Sequence, residues 1–152
     1  MNRWLTERLC RRAFDDLNAG RIDSLLRKCR SDVAHRFAGD HALGGRRYSV
    51  EGLQRWFDRL HHLFPELQFT IHDVLVTGGP RDTRVVIRWT DTGMMRTGET
   101  YENRGIHYLR LRWGRVALIE AHLDTQVVER ACERMAAQGV TEAQAAPIED
   151  SV

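Results

Sequence analysis

Residues 99–124, ETYENRGIHYLRLRWGRVALIEAHLD, decide the fold. Side chains alternate between the two faces of a strand, and this stretch reads as two long strands, 99–113 and 115–124, broken by Gly114. On the first, Tyr101, Asn103, Gly105, His107, Leu109 and Trp113 share a face, against Glu102, Arg104, Tyr108, Arg110 and Arg112. On the second, Leu118, Glu120, His122 and Asp124 oppose Ala117, Ile119, Ala121 and Leu123. A tight hairpin pairs positions whose numbers sum to roughly 228, which sets His107 opposite Ala121 or His122 and Asp124 a little further toward Gly105.

Two more alternating runs precede this pair, at 67–77 and 83–92, separated by Gly78-Gly79-Pro80 and by the 93–98 segment. Four runs joined by turn residues predict an antiparallel meander. Upstream the period changes. Trp4, Leu5, Leu9, Ala13, Phe14 and Leu17 recur at helical spacing over 2–19, a short helix follows from Asp23, and Val33 to Ala38 reads as a brief strand with His35 and Phe37 on one side. Ser49 caps a third helix whose apolar face is Leu53, Trp56, Phe57 and Leu60, and Pro65 ends it. A closing helix spans 125–137. Helices followed by a run of strands make an α+β order, with one domain over 1–137 and a tail, 138–152, whose Ala, Glu and Gln content predicts poor order.

Composition bounds the rest. The chain has 152 residues and a formal charge of +2, and no basic stripe interleaved with aromatics calls for nucleic acid. No apolar run is long enough for a membrane span. Cys10, Cys29 and Cys132 show no ligand or redox spacing, and a cytoplasmic protein with reduced thiols is expected. No metal or nucleotide motif is present, and the adjacent His61 and His62 suit the C-terminal end of a helix dipole better than a metal.

The order of elements, with Tyr101-Glu102-Asn103-Arg104-Gly105-Ile106-His107 on one strand and Glu120-Ala121-His122-Leu123-Asp124 closing the next, resembles the SnoaL-like polyketide cyclases and ketosteroid isomerase relatives of the NTF2-like superfamily. The resemblance implies a cone, a curved sheet covered by the N-terminal helices and enclosing a pocket. It also implies a cofactor-independent acid/base enzyme, a cyclase, isomerase or hydrolase acting on a small hydrophobic carbonyl or oxygenated compound, with Asp124 as general base and His107 assisting, and a homodimer formed through the sheet. Around that pair, Tyr101, Asn103 and His122, with the aromatics Trp56, Phe69, Trp89 and Trp113, are the expected substrate-binding residues. His35 and Asp40 lie near where ketosteroid isomerases carry their base, but Gly39-Asp40-His41 reads as a turn. A binding or dimerisation module with a chemically inert pocket is the rival reading.

Overall fold

The computed structural model describes residues 2–150, so expectations that fall on residues 1, 151 and 152 lie outside the described residues. Helices α1 (Arg3–Asn18) and α2 (Ile22–Arg27) come first, then strands β1 (Cys29–Phe37) and β2 (Gly45–Arg47) and helix α3 (Val50–Leu63). Four long strands follow, β3 (Gln68–Gly79), β4 (Asp82–Met94), β5 (Thr100–Arg112) and β6 (Arg115–Leu123), and α4 (Thr125–Ala137) closes the order. The side chain of Asn2 caps α1 and that of Ser49 caps α3, each accepting a backbone N–H that the first turn leaves unpaired.

The strands from β3 to β6 form the expected antiparallel meander, with His107 opposite Ala121. Only Trp113 and Gly114 lie between the paired Arg112 and Arg115, both at positive φ (52° and 78°), the backbone of a two-residue turn that follows the sheet's twist. The sheet has six strands in the order β2-β1-β6-β5-β4-β3, with β1 inserted parallel to β6. It is curved and unclosed, an α+β architecture with the helices on one side. The parallel β1–β6 contact joins segments some 85 residues apart, and no local period announces such a pairing.

Inward-facing side chains form two clusters. Trp56, Phe57, Leu60 and Phe64 of the α3 region pack with Val33, Tyr101 and Val128, while Phe14 packs with Val85, Ile87 and Trp89. Leu17 and Leu123 touch both clusters. The Asn18 side chain bonds the backbone N–H and C=O of Phe69, which pins the end of α1 to the start of β3. Cys10, Cys29 and Cys132 are buried within these cores, and burial pushes each thiol up to about 11, so none is a ready nucleophile.

The segment after α4, where sequence predicts poor order, lies packed against the domain over its described residues. Residues 141–144 form a 3₁₀ turn with Ala143 buried, and the chain then runs as a strap across β2 and α3. Arg59 donates to the Ala146 carbonyl at 2.8 Å, Arg47 donates to that of Ile148 at 3.0 Å, and the Asp150 carboxylate accepts from the Tyr48 N–H and the Ser49 hydroxyl. Composition reports a polar, Ala-rich segment; it does not report the buried Arg47 and half-buried Arg59 that meet its carbonyls.

Candidate active site

A cavity of about 60 Å³ lies at the seam between the two clusters, bounded by Leu17, Phe37, Trp56, Phe57, Leu60, Phe64, Phe69, Trp89, Ile119 and Leu123. Into this apolar wall are set four polar side chains: His35, Asp91, Tyr101 and His107. Each stands on a strand position whose parity points inward.

Asp91 comes from β4, where Thr83, Val85, Ile87, Trp89 and Asp91 are buried in strict alternation. Its Oδ1 is buried and has no hydrogen-bond partner among the described residues. Burial raises the carboxyl from its usual acidic range to about 7, opposed by backbone hydrogen bonds from Asn103 and from Asp91 itself. A carboxyl in that state exchanges its proton near neutrality, which suits a general base or acid.

The two histidines are held in one tautomer by groups that can only donate. The indole Nε1–H of Trp89 donates to Nδ1 of His107 at 2.6 Å, and an Nη1–H of Arg47 donates to Nδ1 of His35 at 2.8 Å. Both Nδ1 atoms therefore accept, which assigns the ring proton of each histidine to Nε2. Burial holds both rings neutral: His107 is lowered to about 4, and His35 well below its ordinary value, with Arg47 and His107 adding to the effect. A neutral imidazole with its proton on Nε2 is a hydrogen-bond donor that stays a donor across the physiological range. Tyr101 is raised above its ordinary value by burial first and by Asp91 next, so its phenol keeps its proton, and its oxygen accepts from Asn103 Nδ2 at 3.0 Å.

The structure brings together His107, Tyr101, Trp56, Phe69 and Trp89 of the residues expected from sequence. Asn103 stands behind the wall, buried and bonded to Tyr101 and to the Asp124 carbonyl. Asp124 itself is exposed, and its carboxylate caps α4 by accepting from Gln126 and Val127 N–H. The reason is parity. His107 faces inward with Ala121, so Ile119, Ala121 and Leu123 form the inner face of β6, and Glu120 and His122 project outward, where they pair at 3.1 Å. Asp124 follows the end of β6, where the chain turns into α4.

His122 is thus no wall residue, and neither is Trp113: the turn at positive φ swings its indole out, 67% exposed, with the Arg81 guanidinium 5.9 Å from the ring. His41 belongs to the turn expected around Gly39, its ring bonding Ala38 C=O and Leu43 N–H. Among the described residues no group of His, Cys, Asp and Glu is arranged to hold a metal ion, and no helix is long and apolar enough to cross a membrane.

A profile of the SnoaL-like domain family matches residues 10–119. The chain belongs to that family. No curated protein sequence matches it. Solved structures with the fold include an NTF2-like protein of unknown function from Burkholderia pseudomallei, at 17% identity and TM-score 0.74, covering 82% of this chain and 95% of that one. TerC, crystallised with polyporic acid, matches at 18% identity and TM-score 0.69, covering 79% and 92%. A candidate polyketide cyclase from Xanthomonas campestris matches at 21% identity and TM-score 0.67, covering 83% and 95%. These likenesses show the fold.

In this SnoaL-like chain, sequence reasoning passed over Asp91 and Arg47. The signal for Asp91 was present: in Thr83-Arg84-Val85-Val86-Ile87-Arg88-Trp89-Thr90-Asp91 an acid sits in phase with the apolar face. Arg47 is fully buried, where an arginine in a polar turn region gives no local sign of it.

Proposed function

We propose that this SnoaL-like protein is a cofactor-independent acid/base enzyme of the cyclase or isomerase kind, acting on a small apolar carbonyl or otherwise oxygenated compound. One observation carries the reading: a buried carboxyl with an unpartnered oxygen, poised near neutrality, in an apolar cavity beside two fixed imidazole donors. Ionised Asp91 takes a proton from the carbon next to the substrate carbonyl, and the charge moves to that oxygen. The Nε2–H groups of His35 and His107 and the Tyr101 phenol are the donors available to an enolate there. The proton then returns from Asp91 to a different carbon, giving an isomer, or the carbanion adds to a second carbonyl and closes a ring, and the alkoxide so formed takes the proton back from Asp91. Desolvation by the aromatic wall strengthens Asp91 as a base and each donor bond alike. The candidate polyketide cyclase among the similar structures supports this class of chemistry.

The cavity's size favours a second reading. Room of about 60 Å³ holds a few water molecules, so a substrate of several rings requires the wall to open, whereas a chemically inert module has no such need. Deuterium exchange separates the two. A panel of enolisable ketones in heavy water, followed by proton NMR, should show exchange catalysed by the wild type and slowed on the order of 100-fold or more in Asp91→Asn. Equal exchange in wild type and variant overturns the assignment of Asp91, and ligand binding without any exchange establishes the inert module. We also propose a homodimer through the outward face of the sheet, where Leu75 and Ile106 are exposed.

A further inference from the structure

Arg47 has surroundings that its packing alone does not require. Its guanidinium is fully buried and, among the described residues, forms no ion pair. A buried cation without a bonded counter-charge is costly unless its donors are satisfied. Here Nε–H goes to the Ile148 carbonyl at 3.0 Å, an Nη2–H to the Gly44 carbonyl at 2.7 Å and an Nη1–H to His35 Nδ1 at 2.8 Å, with the carbon of the guanidinium 5.7 Å from the Trp56 ring centre. Two of these four neighbours, His35 and Trp56, are cavity wall. A third, Ile148, belongs to the C-terminal strap, which lies beyond the residues that the family profile matches.

The strap is fastened on both sides of Ile148. Arg59 holds Ala146, and Asp150 accepts from the Tyr48 N–H and the Ser49 hydroxyl at the start of α3. Gly45 lies close beneath it: a Cβ there would meet a Glu149 carboxylate oxygen at 2.7 Å and Pro147 Cβ at 3.0 Å. The carbonyl that orients Arg47 is therefore fixed from either side.

We propose that Arg47 is a positioning residue that fixes His35 as an Nε2–H donor to the cavity, and that the C-terminal strap sets this state by holding Arg47. The proposal rests on the reading of the cavity as an acid/base site, and it adds to that site a control running from residues 146–150 to one of its donors. Arg47 touches His35 and not the substrate. With the strap seated, Nδ1 of His35 has a permanent donor. With the strap displaced, Arg47 loses the carbonyl that aims it, and His35 is free to exchange tautomers or to accept a proton.

Ring ¹⁵N NMR on the full-length chain reads the tautomer of each histidine without any substrate. Wild-type His35 should show the Nε2–H form alone. Arg47→Met should give mixed tautomers or a ring that protonates under mild acid, and Asp150→Ala, which releases the end of the strap, should move His35 in the same direction. His107, held by Trp89, should be unchanged and serves as the internal control for the fold. If Arg47→Met fails to fold, Asp150→Ala carries the test by itself.

An Nδ1–H form in the wild type overturns the proposal, as does a His35 signal that neither variant moves. With an exchanging ketone in hand, Arg47→Met should lower kcat about tenfold with little change in KM. An equal loss in KM alone contradicts a positioning role. The two failures remain distinct: unaltered ketone exchange in Asp91→Asn removes the catalytic reading and leaves the His35 tautomer result standing, whereas an unmoved His35 removes the strap's control and leaves Asp91 untouched.

Discussion

At the scale of single residues, environment reassigns the chemistry. Asp91 and Asp124 are the same side chain in opposite settings: one stripped of water with a free oxygen, the other exposed and engaged as a helix cap. Only the first has a reason to be a strong base near neutral pH. The direction of the pH dependence follows from the shift. Asp91 must be ionised to take a proton, so the exchange rate should rise with pH through about 7 and then level off, while His107, neutral above about 4, contributes no second limb in that range. Strand and helix periodicity choose the inner face, and His107, Tyr101, Trp56, Phe69 and Trp89, read inward on that basis, line the cavity. Asp124 and His122 lie off the cavity wall because, of the two faces of β6, the ionisable one was taken for the pocket, when the four small or apolar residues opposite it marked the side that packs.

At the scale of elements, the four-stranded meander, α3 and α4 were legible from period and punctuation. Turn geometry was less so. Counting the alternation one residue past Arg112, the end of β5, carried Trp113 inward, but the two-residue turn requires positive φ there and ends the alternation. The role of Asp124 belongs to this scale as well. As the cap of α4 it should be replaceable by Asn, itself a good cap, with stability and ketone exchange retained, whereas Asp124→Ala should cost about 1 kcal/mol in urea unfolding with exchange still intact. Loss of exchange in Asp124→Asn would restore that residue to the mechanism.

At the scale of the whole molecule, two non-local contacts shape the site, and neither has a local signature. The parallel docking of β1 beside β6 brings His35 to the cavity, and the strap over β2 buries Arg47. The outer face of the sheet carries cross-strand ion pairs, Arg110 with Asp82 at 2.9 Å and Arg88 with Asp73 at 2.6 Å, around the exposed Leu75 and Ile106. Paired charges around apolar side chains suit a contact between two copies. Light scattering at micromolar concentration should return twice the 17.6 kDa chain mass, and a single-chain mass removes the dimer.

The cavity, the inward parity of β4 and the two fixed histidines converge on one carboxyl. A pH titration of the Asp91 side-chain carboxyl by ¹³C NMR, assigned by comparison with Asp91→Asn, measures its state without a substrate. A midpoint near 7 is expected. A midpoint in the ordinary carboxylate range, about 4, would show that water reaches Asp91 and would contradict its role as the base.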